Sequence, residues 1–278
     1  MIDRLEEVAR SAIMEAGALI RDRIGNVSSS VIQNKGPSDY VTEVDMRSEA
    51  LIIEAVAGHF PDHHIMAEES PKGEPQPGYT WIIDPLDGTT NFIHGFPFVA
   101  VSIGVFRDGE PLLGLVLDPV REELFTARRG GGAYLNGRRI QVSEKQPLED
   151  ALIATGFPVR YKHLLDPYLT TFKNIFRSVS GIRRAGAAAL DLAYLAAGRV
   201  DGFWEAGLAP WDVAAGSLLV TEAGGIVSDF HGGGNHVWAG QIVSGNASVY
   251  PFLLEQVRTH LLPALGPGPE TGDGDRRR

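Results

Sequence analysis

The run Asp84-Pro85-Leu86-Asp87-Gly88-Thr89-Thr90-Asn91-Phe92 decides how this chain is read. It follows directly on a short apolar strand, Thr80 to Asp84. Two carboxylates three residues apart around a proline repel each other unless one is protonated or a cation lies between them. From Glu74 to Val105 there is no Lys or Arg to serve as counter-charge, so a metal is the simplest remedy. All-oxygen ligation suits Mg2+ or Mn2+. Gly88-Thr89-Thr90 then turns into a helical start, whose free backbone N–H groups suit a phosphate. An isolated Asp-x-x-Asp-Gly would more often be a strand-end turn in which the aspartates cap backbone groups.

Working outward, three more acidic clusters stand at a distance in sequence: Asp39-Tyr40-Val41-Thr42-Glu43-Val44-Asp45, Glu68-Glu69-Ser70, and Trp211-Asp212-Val213-Ala214-Ala215-Gly216. Each sits where the periodicity changes. Leu5, Val8, Ala12, Ile13, Ala16, Leu19 and Ile20 predict a first amphipathic helix ending near Gly25. A loop holding Lys35 follows, and Thr42 is placed to cap a second helix that ends at Phe60-Pro61-Asp62. From Pro97 to Ile140 the pattern is antiparallel β, with hairpin signals at Asp108-Gly109 and Asn136-Gly137. Beyond Pro147, strands at 151–155, 202–205, 226–230 and 241–244 alternate with helices at 164–177, 187–198, 211–223 and 248–262. That alternation reads as α/β. The division expected is an N-terminal α+β half over 1–145 carrying most metal ligands and a C-terminal α/β half over 146–265 carrying substrate-side residues. Residues 266–278, polar and rich in Gly and Pro, read as a disordered tail.

Composition narrows the chemistry. The 278 residues include no cysteine, which excludes disulfides, thiolate zinc sites and a Cys nucleophile. The net charge of −10 argues against broad nucleic-acid binding. No run of 18 apolar residues and no signal-like N-terminus is present, so the expectation is a cytoplasmic protein off the membrane.

With these four clusters in this order, the sequence resembles the inositol monophosphatase family of Mg2+-dependent, lithium-sensitive phosphatases. The family pattern Asp-Pro-(Ile/Leu)-Asp-Gly-Thr-x-Asn-Phe stands complete at Asp84 to Phe92, and the resemblance spans roughly residues 3–262. It implies a layered α-β-α-β-α sandwich of the sugar phosphatase type, with an antiparallel-rich N-terminal half and the active site between the halves. It implies Glu68, Asp84 and the Leu86 carbonyl around one cation, and Asp84, Asp87 and Asp212 around a second. A third ion lies near Glu68, so two or three Mg2+ are implied, with Mn2+ possible. Two metals clamp the attacking and leaving oxygens of an in-line displacement. The nucleophile implied is a metal-activated water, oriented by Thr89 with Asp45 behind it and Glu68 assisting. Gly88, Thr89 and Thr90 would hold the phosphate. Asp87, Asp212, Glu205 and the backbone near Ala188 would contact the alcohol.

The reaction implied is hydrolysis of a phosphate monoester, foremost myo-inositol 1-phosphate to inositol and phosphate, by a homodimer. Relatives that act on fructose 1,6-bisphosphate, histidinol phosphate or 3′-phosphoadenosine 5′-phosphate share the same metal core. A role of another class is a protein-binding regulatory function in transcription or RNA processing; the acidic balance disfavours direct RNA affinity but permits a protein partner.

Other residues take plainer readings. His63 and His64 lack the spaced partners of a zinc motif and are expected on the surface. Gly130-Gly131-Gly132 and His231-Gly232-Gly233-Gly234 read as turns, without a Walker lysine. Lys35 reads equally as a contact to waters of a third ion and as an exposed loop lysine. Arg183-Arg184 fits an acid contact, a dimer contact or bare surface.

Overall fold

The computed structural model describes residues 1–26, 32–36, 39–70, 76–145 and 147–265, with 32–36 and 39–40 as backbone. The tail expected over 266–278 lies outside the described residues, as does the side chain of Lys35. The elements run α1 (Ile2–Arg23), β1 (Ile32–Gly36), β2 (Asp39–Thr42), α2 (Glu43–His59), β3 (His64–Ala67), β4 (Tyr79–Asp87), α3 (Thr89–Ile93), β5 (Ala100–Arg107), β6 (Glu110–Asp118), β7 (Glu123–Arg128), β8 (Gly132–Leu135) and β9 (Arg138–Ile140). They continue with β10 (Leu152–Thr155), α4 (Leu165–Phe176), β11 (Gly181–Arg183), α5 (Ala188–Ala196), β12 (Gly202–Ala206), α6 (Pro210–Glu222), β13 (Ile226–Ser228), β14 (Gln241–Gly245) and α7 (Tyr250–His260).

Five layers result. A seven-stranded sheet, β3 to β9 in chain order, carries α1 and α2 on one face and α5 and α6 on the other. Beyond α5 and α6 lies a five-stranded sheet ordered β11-β10-β12-β14-β13, covered on its far side by α4 and α7. This is the expected α-β-α-β-α sandwich. The second sheet is mixed: β10 runs parallel to β11 and β12, while β14 is antiparallel to β12 and β13.

Strand alternation explains the layering. On β5 the large residues Val101, Ile103 and Val105 enter the core under α1 and α2. Their neighbours Ala100, Ser102 and Gly104 are small and turn to the opposite face, period two. β6 repeats the device, with Leu113, Leu115 and Leu117 on one side and Gly114 on the other. The small face lets α6 come close: a Cβ on Gly114 would lie 2.7 Å from the Ala215 carbonyl oxygen and 3.1 Å from its Cα. Backbone cannot swing aside as a side-chain tip does. Gly114→Ala should therefore destabilise the fold by about 1–3 kcal/mol through overpacking, read as a lower urea midpoint.

Two expectations are corrected, and one strand is added that the sequence did not announce. The segment read as a loop around Lys35 is a two-stranded hairpin, β1 with β2. The region after Phe60 contains β3, which pairs parallel with β4. Four residues are too few for a period to register in sequence. His63 is no plain surface residue: its ring stacks between Phe60 and Tyr79, each at 4.6 Å, and its Nδ1 accepts from Trp81 Nε1 at 3.0 Å. His64 is exposed as expected.

Candidate active site

β4 runs past the apolar stretch to Asp87, and its pairing with β5 slips by one residue between Asp84 and Asp87. In a regular strand, residues three apart face opposite sides. The bulge inserts the extra residue that brings both aspartates into the same cleft, and Pro85 sits inside it, where a missing N–H disrupts no ladder. Ser48 on α2 donates to the Pro85 carbonyl at 2.7 Å, pinning the bulge from behind. Gly88 then takes φ 92° to turn the chain into α3. A side chain there would be strained and would press on the Phe98 carbonyl.

The cleft encloses about 300 Å3. Glu68, Asp84, Leu86, Asp87, Gly88, Thr89, Thr90, Ala188, Glu205 and Asp212 all line it. Four acidic clusters separated by up to 170 residues are thus brought to one place. Asp45 is fully buried and reaches the cleft only through Thr89, whose Oγ1 donates to Asp45 Oδ1 at 2.9 Å. Asp45 Oδ2 accepts the Thr42 N–H at 2.9 Å, and Thr42 Oγ1 accepts from Val44 N, so the capping box at the head of α2 also fixes the catalytic candidate. Thr89 Oγ1 lies 3.2 Å from the Leu86 carbonyl oxygen as well.

Each cleft aspartate accepts a backbone amide. Asp84 Oδ1 accepts Leu86 N at 3.0 Å, Asp87 Oδ2 accepts Ala189 N at 2.7 Å, and Asp212 Oδ2 accepts Ala209 N at 2.7 Å. Asp212 is also 3.9 Å from Arg160 Nη1. The backbone contact expected at Ala188 thus serves first to hold Asp87, through the next residue's amide.

The charges do not balance. Burial pushes the Asp84 carboxyl well above the usual carboxylate range, and the charges of Glu68, Asp87 and Asp212 push it further. Asp87 is raised well up by burial and by Asp212, against the pull of the Ala189 amide. Burial raises Glu205 to about 8 despite the opposing charges of Arg184 and Arg160. Buried Asp191 on α5 is raised by burial and then by Glu205 and Asp87. Such a set of mutually repelling oxygen donors fits a hard divalent cation. Among the described residues no three acid or imidazole groups are already arranged to hold an ion. The fit is one of donor chemistry and charge.

The sign of these shifts sets a pH dependence. The folded pKa of Glu205 lies above its unfolded value, so between about pH 4.5 and pH 8 the folded state binds more protons than the unfolded. Stability of the metal-free protein should fall as pH rises through that window, with Asp84 and Asp87 acting in the same direction. Thermal melts in EDTA at pH 5 and pH 8 check it; a higher melting temperature at pH 8 would count against the reading.

Several contributors have roles that only the structure shows. Asn91 Nδ2 donates to the carbonyls of Phe98 at 2.7 Å and Ala185 at 2.8 Å, tying α3 to the segment before α5. Of the Arg pair, Arg184 lines the cleft with its guanidinium 5.4 Å from the Phe157 ring, while Arg183 sits exposed at the end of β11. Gly156 leaves the room Glu205 occupies: a Cβ there would sit 1.9 Å from the Glu205 carboxyl. The two glycine runs are turns, as expected. Glu222 takes the amides of Gly130 and Gly132, and Asp229 takes those of His231 and Gly233.

Comparison with known proteins gives the family and the fold. The family model described as the inositol monophosphatase family matches residues 1–262. The chain is 50% identical over 264 residues to Nus factor SuhB of Pseudomonas aeruginosa, covering 93% of this chain and 97% of that protein. It is 43% identical over 258 residues to the inositol-1-monophosphatase of Mesorhizobium japonicum, covering 92% and 97%. The solved structure of the IMPase of Thermotoga maritima superposes with a TM-score of 0.85 at 34% identity, covering 94% of this chain and 99% of that one. No helix among the described residues is long and apolar enough to cross a membrane.

Proposed function

The chain belongs to the inositol monophosphatase family and is a phosphatase, and from that premise we propose that it hydrolyses myo-inositol 1-phosphate with Mg2+ as cofactor. The observation that carries the reading is the crowding of Asp87, Glu68 and Asp212 around the buried Asp84 carboxyl, beside the Thr89–Asp45 pair. The residues that would hold Mg2+ are Glu68, Asp84 and the Leu86 carbonyl for one ion, and Asp84, Asp87 and Asp212 for another. When bound, the ions supply Lewis acidity and neutralise charge on the phosphoryl group.

The protein's own part is positioning and proton handling. Thr89 Oγ1 gives its hydrogen to Asp45 Oδ1, which leaves its lone pairs facing the cleft to accept from an attacking water. As that water loses its proton to Thr89 Oγ1, the Thr89 proton passes to Asp45, whose carboxyl burial already raises. Asp45 is thereby a base one hydroxyl removed from the attacking water, shielded from solvent. Gly88, Thr89 and Thr90 border the phosphate position at the start of α3, and Glu205 and Asp87 face the leaving alcohol as acceptors for its hydroxyls.

A phosphate-release panel tests the proposal: myo-inositol 1-phosphate, fructose 1,6-bisphosphate, histidinol phosphate, 3′-phosphoadenosine 5′-phosphate and glycerol 2-phosphate, each with Mg2+ and with or without Li+. Preference for the inositol ester and inhibition by Li+ are expected. Equal rates on all five would remove the substrate assignment. Gly156→Ala adds a sharper check. The displaced group is a flexible side-chain tip, so melting should hold, while kcat/KM for the inositol ester falls about tenfold through loss of a buried hydrogen bond to the alcohol. Glycerol 2-phosphate, with fewer hydroxyls, should be less affected, and Glu205→Gln should give the same pattern.

The name Nus factor SuhB on a 50% identical relative favours a second reading, a protein-binding role in transcription. Retention of polymerase subunits by an Asp84→Asn protein, itself inactive on phosphate esters, would establish it as separate from catalysis.

A further inference from the structure

We infer that Tyr168, on α4 and outside the cleft, is a positioning residue for Glu205 and thereby for the choice of polyol esters, a role that rests on the reading of Glu205 as an acceptor for the alcohol's hydroxyls. Among the described residues no hydrogen bond holds the Glu205 carboxyl itself; Arg184 and Arg160 act on it only as charges. Its oxygens are left for a substrate, and its place depends on the strand that carries it. Successive side chains of a strand face opposite sides, so with Trp204 in the core under α4 and α7, Glu205 faces the cleft.

That strand end is tied down from α4. Thr155, the last residue of β10, pairs in register with Trp204 of β12, the residue before Glu205. Thr155 Oγ1 donates to the Trp204 carbonyl at 2.9 Å, a closer contact than its 3.4 Å to the Gly156 carbonyl. With its one hydrogen spent there, Thr155 Oγ1 can only accept from the Tyr168 hydroxyl, 3.2 Å away. Thr155, Tyr168 and Trp204 are all buried, where such a chain of hydrogen bonds is strengthened. Burial pushes the Tyr168 phenol up to about 12, so it stays a donor throughout the neutral range.

The Tyr168 ring braces the same wall. It stacks on Trp204 at 6.2 Å and meets Phe157, which lines the cleft with Glu205, at 5.3 Å. A phenylalanine would keep this packing. The hydroxyl alone ties α4 to the last pair of the β10–β12 ladder, and through it to the two residues that set the room for Glu205: Glu205 itself and Gly156.

Steady-state kinetics on the full-length protein at saturating Mg2+ test the role. Tyr168→Phe should raise KM for myo-inositol 1-phosphate about fivefold at unchanged kcat, and KM for glycerol 2-phosphate by less than about twofold. Thr155→Val should give the same pattern, and Thr155→Ser, which keeps the hydroxyl, should stay near wild type. Where Glu205→Ala has already removed the carboxyl, adding Tyr168→Phe should change KM by less than about twofold. An inositol-to-glycerol KM ratio unmoved by Tyr168→Phe while Glu205→Ala moves it would overturn the positioning role alone. A ratio moved by neither would overturn the reading of Glu205 and this role with it. An equal penalty from Tyr168→Phe with and without the Glu205 carboxyl would also overturn it, leaving Tyr168 a support of the fold.

Discussion

Asp84→Asn is expected to lower kcat/KM by on the order of 10^3 or more while the metal-free protein melts at a higher temperature. The two effects have one cause. Asp84 is buried at 1% exposure, and its neighbours Glu68, Asp87 and Asp212 all repel its charge. Among the described residues one backbone amide, Leu86 N, opposes that repulsion, and an asparagine carbonyl oxygen accepts the same hydrogen bond. The substitution therefore keeps shape and anchoring and removes the charge alone. In the metal-free state this relieves repulsion, and above about pH 5 the variant should be the more stable protein. With Mg2+ present the order reverses, because wild type gains stability from a bound ion and the variant gains little. Phosphate release and thermal melts with and without Mg2+ read both halves. Turnover within tenfold of wild type would exclude Asp84 as a shared cation ligand.

Most of the residues that line the cleft were legible because its carboxylates stand in short strings. Asp84, Asp87 and the Gly88 turn lie within five residues, and a strand end, a bulge and a tight turn each have a local residue requirement. The Thr42 cap of α2 was equally local. What stayed hidden is what only tertiary packing creates. Glycines 104 and 114 are indistinguishable from turn glycines until α6 lies across them. Gly156 has no meaning before the second sheet delivers Glu205 against it. His63 owes its partners to Phe60, Tyr79 and Trp81, the last of which pairs with β3 across a register that four residues do not announce. The short strands β3 and β11 were missed for the same reason: pairing on a sheet edge, not local pattern, makes them strands.

Glu49→Ala carries the second large effect, although Glu49 does not line the cleft. It is buried at 4% exposure one turn after the capping box of α2. Its Oε2 accepts Glu69 N at 2.8 Å and its Oε1 accepts Ser70 Oγ, so one carboxylate clasps the segment that presents Glu68. The preceding residue, Ser48, clasps the bulge that presents Asp84 and Asp87. Adjacent positions on one helix thus set the spacing between the acidic segments on which the proposed cation sites depend. Truncation leaves an amide and a hydroxyl without their acceptor in a half-buried segment, a cost of about 2 kcal/mol. Loss of a partner that orients a metal ligand lowers affinity or activity by roughly 10–100-fold. A positioning role predicts where that loss appears. The Mg2+ concentration for half-maximal activity should rise by that factor, KM for the ester at saturating Mg2+ should change little, and Glu49→Gln, which keeps one acceptor, should recover part of the loss. A uniform drop in kcat with unchanged Mg2+ dependence would show instead that Glu49 supports the fold alone.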